Sequence, residues 1–171
     1  MIRFAEYDDL QGIIEIYNDA ILNTTSIYTY KAHRIEDQIV WYETKLRDEY
    51  PVLVYVDDDH QVQGFASFGP FRAYPAYKYT IEHSIYVHKD HRRKNIGTRL
   101  LQALMQIAEE QGYATMVGAI DAANEGSRFL HEQLGFTYAG TINKAGYKFG
   151  RWLDLVFYQY QLRGPETPTE E

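Results

Sequence analysis

The chain contains no cysteine. A disulfide framework, a thiolate-held zinc and a cysteine nucleophile are therefore excluded. Basic residues are also scarce, with 17 Lys and Arg against 24 Asp and Glu and a net charge of −7. Nonspecific nucleic-acid binding and adhesion to anionic lipid need a surplus of cations, so neither is expected. No stretch approaches the roughly 20 apolar residues that span a bilayer. The start, Met1-Ile2-Arg3-Phe4-Ala5-Glu6, lacks the apolar run of a secretory signal. The six histidines show no paired ligand spacing, so no metal is expected. These absences point to a cytoplasmic protein with small-molecule partners.

What is present is core material and tyrosine. Apolar residues make up 45 % of 171 positions, enough for one domain without staples. The 16 tyrosines suit pockets and interfaces, because each ring has an apolar body and a polar tip. Ordinary half-buried packing explains them as well.

Periodicity orders the elements. Leu10, Ile13, Ile14, Tyr17 and Ile21 lie on one face of a helix, with Asp8 or Asp9 as its cap. Ile35, Ile39, Tyr42 and Leu46 mark a second helix, between Arg34 and Arg47. A hairpin follows, from Val52–Val56 through Asp57-Asp58-Asp59-His60 to Val62–Phe68, where Gly69-Pro70 is expected to end the strand. Phe71–Lys78 reads as an aromatic loop and Tyr79–Val87 as a strand. A long helix runs from about Ile96 to Gln111, with Gly112 as its stop. A strand at Thr115–Ile120 and a short helix capped by Asn124 come next. Two strands finish the fold, the last being Trp152–Gln161, whose residues alternate between Leu153, Leu155, Phe157 and Trp152, Asp154, Val156. The order β-α-α-β-β-β-α-β-α-β-β predicts an α/β (α+β) domain over residues 1–162. Its mixed sheet is mostly antiparallel, with helices on its faces. Residues 163–171 hold two prolines and three glutamates and are expected to be a disordered tail.

The segment joining Val87 to the long helix contains His91-Arg92-Arg93-Lys94-Asn95-Ile96-Gly97-Thr98. A helix N-terminus offers unpaired N–H groups and a positive dipole end to an anion. Arg92, Arg93 and Lys94 add charge, Gly97 lets backbone approach a ligand, and Asn95 tolerates positive φ. A pyrophosphate suits such a cradle. By spacing alone, a solvated basic turn fits equally well. A Walker loop and a dinucleotide fingerprint are both absent.

These residues resemble the Arg/Gln-x-x-Gly-x-Gly/Ala motif of the GCN5-related N-acetyltransferases, and the element order resembles theirs over residues 2–162. Further segments resemble the phosphinothricin and methionine-sulfoximine acetyltransferase branch. They are Ile16-Tyr17-Asn18, Gly69-Pro70-Phe71-Arg72, Thr80–Val87, Leu130-His131-Glu132 with Gly135-Phe136, and Lys148-Phe149-Gly150-Arg151-Trp152-Leu153-Asp154. One position departs: that family usually has glycine where this chain has Asn95. The resemblance implies acetyl-CoA as co-substrate. It implies contacts from the backbone of Ile85, Tyr86 and Val87 to the pantetheine arm, from residues 92–98 (Arg92, Arg93, Lys94, Asn95, Ile96, Gly97, Thr98) to the phosphates, and from Asn124 to the arm. It also implies a homodimer.

Acetylating an amine requires a base for the ammonium and a proton for the departing thiolate. Strand alternation puts Thr80, Glu82, Ser84 and Tyr86 on one face and Ile81, His83, Ile85 and Val87 on the other. Glu82 is the expected base. His131 stands where many relatives have a tyrosine acid, and the resemblance implies a catalytic role for it. His83 is expected to be a hydrogen-bonded residue of the core side. Without cysteine, direct transfer in a ternary complex is expected. Arg72 is the candidate cation for a substrate carboxylate or phosphinate, with Tyr28 and Tyr74, joined by Tyr30 and Tyr77, as pocket walls. Lys148 and Arg151 read as surface residues. The expected acceptor is a small amino-acid-like amine. The alternatives are a protein or peptide α-amine, for which an open groove would speak, and a non-catalytic acyl-CoA-binding regulator.

Overall fold

The computed structural model describes residues 1–171 and follows the element order read from the pattern. The elements are β1 (Ile2–Phe4), α1 (Leu10–Asn23), α2 (Ile35–Arg47), β2 (Val52–Val56), β3 (Val62–Pro70), β4 (Thr80–Val87), α3 (Ile96–Glu110), β5 (Thr115–Asp121), α4 (Glu125–Gln133), β6 (Thr137–Lys148) and β7 (Arg151–Gln161). The strands form one sheet in the order β1-β2-β3-β4-β5-β7-β6. Every neighbouring pair is antiparallel except β4–β5, which α3 links as a parallel crossover.

Helices cover both faces of the sheet. Val52, Val54, Val56 and Phe65 pack with Leu10, Ile13, Ile16 and Tyr42 of α1 and α2. Leu53, Ala66, Phe68, Ile81 and Met116 pack on the other face with Leu100, Leu101, Leu104 and Ala108 of α3. Double coverage explains the unbroken apolar run of β2, since every side chain there needs an apolar neighbour.

Several local expectations are corrected. Asp9 makes no side-chain cap on α1. Its carboxylate instead accepts the Glu6 N–H and two bonds from Arg3. Leu46 is exposed, and Gln38 is the buried partner of Tyr42, because the last turn of α2 runs past the packed face. Gly69-Pro70 does not break β3: the pairing continues to Pro70, opposite Ile81. Proline is tolerated as a strand's terminal residue, and Gly69 leaves room for Lys45 Nζ, which would lie 2.9 Å from a Cβ there. In β7 the buried residues are Leu153, Val156 and Tyr158, so strict alternation fails where both faces are covered. Beyond Leu162 there is no helix or strand, and the Thr169 N–H donates to Tyr79 Oη at 3.0 Å. No helix is long and apolar enough to cross a membrane.

Candidate active site

The parallel pairing of β4 with β5 covers only Thr80–His83 against Thr115–Gly118. Beyond it, β4 stays bonded to β3 as far as Val87, and β5 stays bonded to β7 as far as Asp121. The two strands therefore part, and the β5-facing backbone edge of residues 84–87 is left without a strand partner. A cavity of about 80 Å³ occupies the opening, lined among others by Ser84, Ile85, Tyr86, Gly118, Asp121, Asn124 and His131. The free edge offers N–H and C=O groups to an extended ligand arm, as an added strand would use them. A larger hollow of about 390 Å³ lies between Met105 and Arg163, away from every candidate residue, and contains the Arg163–Glu109 ion pair.

The basic segment leads directly from this edge into α3. Arg93 (φ 64°) and Asn95 (φ 61°) both adopt the left-handed conformation. Asparagine accepts that region more readily than most residues, so the loop forms without the glycine usual there. The Asn95 side chain caps none of the first N–H groups of α3. By contrast, Asn124 Oδ1 accepts the Ser127 N–H at 3.1 Å at the start of α4. The start of α3 thus keeps its donors and dipole for an anion, with Arg92, Arg93 and Lys94 exposed around it. Gly97 has an internal reason as well: a Cβ would come 3.1 Å from Leu130 Cδ1 of α4.

Glu82 is half-buried on the α1/α2 face of β4, opposite Gly69 and Val117. Burial raises its carboxyl above the usual range, and the Arg72 charge opposes that shift. On the same face Tyr86 packs edge-on against Tyr17 and beside Phe65. Across the strand, His83 and His131 are both buried, with their Nε2 atoms 2.8 Å apart. His131 Nδ1 lies 2.7 Å from the Ser127 carbonyl. Burial lowers the pKa of both imidazoles, and for His83 the proximity of His131 adds to the effect. His83 is thus the hydrogen-bonded core residue that strand alternation implied.

The segment between α1 and α2 forms a strap over the far end of the opening. Thr25 Oγ1 and Tyr28 Oη donate to the two oxygens of Asp121 at 2.6 and 3.0 Å. Tyr30 Oη donates to the Tyr147 carbonyl at 2.6 Å. The Tyr28 ring lies over Gly146, where a Cβ would approach it to 2.7 Å. Lys148, read from sequence as a surface residue, is buried and donates to the carbonyls of Thr24 and Ile27, each at 2.7 Å. Its correction follows from tertiary contact, since the strap needs a cation beneath its carbonyls. Arg151 is exposed, as read.

Arg72 is exposed; its guanidinium lies 4.2 Å from the centre of the Phe71 ring, and Nη1 donates to the Phe71 carbonyl. Tyr77 packs edge-on against Phe71, while Tyr74 is 76 % exposed. Within one chain this loop is open rather than walled. Sequence reasoning missed Asp121, Ser127 and Gly118. Gly118 carried a signal: glycine inside a strand often marks close approach, and a Cβ there would come 3.0 Å from both histidine rings.

The comparisons with known proteins agree with this geometry. An L-methionine sulfoximine/L-methionine sulfone acetyltransferase of Pseudomonas aeruginosa is 45 % identical over 161 residues, covering 94 % of each chain. A putative acetyltransferase from Salmonella typhimurium, solved with its cofactor acetyl-CoA, is 41 % identical with a TM-score of 0.95, covering 99 % of this chain and 97 % of its own. A phosphinothricin acetyltransferase from Sinorhizobium meliloti, solved in complex with acetyl-CoA, is 34 % identical with a TM-score of 0.94, covering 98 % and 91 %. Residues 13–136 match the sequence model of the Acetyltransferase (GNAT) family, and the chain belongs to that family as an acetyl-CoA-dependent N-acetyltransferase.

Proposed function

We propose that the chain acetylates the α-amine of small amino acids of the methionine sulfoximine, methionine sulfone or phosphinothricin type, by direct transfer in a ternary complex. The observation that carries this reading is the opening between β4 and β5, lined by Ser84, Ile85, Tyr86 and His131, with Glu82 on the paired stretch of β4 that leads into it. Identity near 45 % to an enzyme named for two of these acceptors supports the substrate class.

Acetyl-CoA supplies the activated acyl group. The free edge at Ile85, Tyr86 and Val87 holds the pantetheine arm, residues 92–98 hold the phosphates, and Asn124 borders the arm. Glu82 takes a proton from the acceptor ammonium, directly or through water, and burial, by raising its pKa, makes it a stronger base than an exposed carboxylate. His131 lies on the thiol side of the opening and serves proton movement there. Arg72 grips the acceptor carboxylate or phosphinate, with Tyr74 beside it. Tyr28 shapes the site through the strap, because its hydroxyl is already held by Asp121. Exposed Ile142 and Tyr147 of β6, Phe149 of the turn and Trp152 of β7 offer apolar surface to a second copy, and a homodimer would wall the open loop. The protein acts in the cytoplasm, as residues 1–162, with 163–171 a tail.

The test is a thiol-release assay across methionine sulfoximine, methionine sulfone, phosphinothricin, ordinary amino acids and short peptides. Turnover is expected with the first three. Turnover with peptides alone would favour the peptide-amine reading, and acetyl-CoA binding without any turnover would favour a regulator. Glu82→Gln is expected to lower kcat by about 100-fold or more with acetyl-CoA affinity nearly unchanged, and calorimetric titration separates the two quantities.

A further inference from the structure

The hydrogen bonds around His131 leave it no proton to donate. The Ser127 carbonyl can only accept, so His131 Nδ1, 2.7 Å away, carries the hydrogen. In the neutral ring Nε2 is then a lone pair. Its partner at 2.8 Å, His83 Nε2, must therefore be the donor. This leaves His83 Nδ1 as a bare lone pair, and that atom is buried without a partner. The two rings are stacked at 22°, with centroids 5.1 Å apart. Phe136 packs against both, and Gly118 leaves the space they occupy.

We propose that His83 is the positioning residue for His131: its Nε2–H fixes His131 as the Nδ1–H tautomer and makes the pair, rather than His131 alone, the group that takes up a proton at the thioester. This rests on the reading that the thioester sits in the β4–β5 opening. The proton balance is simple. Glu82 takes the ammonium's proton, and the free amine and the thioester then give an amide and a thiol with no net proton, so the pair takes its proton from the nitrogen of the adduct and returns it to the departing sulfur. The proton enters at His83 Nδ1, the one vacant nitrogen. The hydrogen on His83 Nε2 can then pass to His131 Nε2, so the pair gains one charge while the bond to Ser127 persists. Burial keeps the pair neutral between turnovers. The titratable groups of the surrounding elements are Glu82 and Tyr86 on β4, Asp121 on β5, Arg128 and Glu132 on α4, and Tyr158 on β7. Tyr158 Oη donates to Glu132 Oε1 at 2.7 Å and accepts from Arg128 Nε, so these three groups satisfy one another beside the pair.

Nitrogen NMR of the full chain labelled at histidine tests the tautomers without reference to activity. His83 should be protonated at Nε2 and His131 at Nδ1 near pH 7, with a coupling across the Nε2–Nε2 bond. A wild-type spectrum with hydrogen on His131 Nε2 would overturn the proposal. In kinetics, His83→Phe should lower kcat about tenfold or more, leave the acetyl-CoA KM nearly unchanged, and change the shape of the kcat–pH profile as His131 titrates alone. His83→Gln can still donate from its amide and should keep the His131 tautomer in the spectrum, but it has no nitrogen to take up the proton, so its kcat should stay close to that of His83→Phe. A glutamine variant with wild-type kcat would refute proton uptake by the pair, and a glutamine variant that loses the His131 tautomer, or a phenylalanine variant with the wild-type profile, would refute the positioning role. Should the phenylalanine variant fail to fold, the spectrum and the glutamine variant still decide. The expected tautomers combined with full turnover in both His83→Phe and His131→Phe would instead overturn the pair's part in acetyl transfer and leave its geometry standing.

Discussion

At the scale of single residues, conformation and chemistry meet in Asn95. Its φ of 61° is a left-handed state that costs most residues about 1–2 kcal/mol and asparagine less. Asn95→Ala should therefore lower stability by about 1 kcal/mol, while Asn95→Gly should be close to neutral. Urea denaturation midpoints for the two variants measure this, and equal losses in both would refute it. Glu82 shows the same union in electrostatic form. Burial raises its pKa, so the rising acid limb of kcat/KM should lie above the ordinary carboxylate range and vanish in Glu82→Gln.

At the scale of elements, the decisive feature is where pairing stops. β4 and β5 hold four register pairs and then separate, because each continues with a different antiparallel neighbour. The same strand end feeds the basic turn and the open start of α3. Cofactor affinity should therefore depend on charge that is exposed to solvent and screened by salt. The KM for acetyl-CoA should rise several-fold, about three- to tenfold, between roughly 0.05 and 0.5 M NaCl. A salt-independent KM would mean that the phosphates lie elsewhere. This element was well marked in sequence by the run from Arg92 to Thr98. The strap was not, because Thr25, Tyr28 and Lys148 meet across more than ninety residues of chain.

At the scale of the molecule, the buried histidines couple stability to pH. The pKa of each imidazole is lower in the folded chain than the ordinary value of about 6.5. Below that value the unfolded chain binds protons that the native one refuses, so stability falls as pH decreases. Glu82 has the opposite sign, since its raised pKa makes the native state the better proton binder, but it acts in the lower carboxylate range. The urea midpoint should therefore drop between pH 7.5 and pH 6. A constant midpoint over that interval would contradict the burial of the pair. Lys45, pushed down to about 8 by burial, adds the same sign just above pH 8, until Tyr28, Tyr86 and Tyr113, whose hydroxyls burial holds above the ordinary range, act in the opposite direction.

The order of elements, the basic turn at the start of α3 and the face carrying Glu82 were determined by sequence, because each depends on residues close together in the chain: a hydrophobic period, a helix start, a strand alternation. Tertiary structure decided that His83 and His131 meet through their Nε2 atoms, why Gly118 has no side chain, and that Lys148 lies beneath a strap rather than on the surface. Those facts depend on atoms brought together from distant segments, and a strand, a helix and a loop leave no mutual trace in the sequence until the sheet has closed around them.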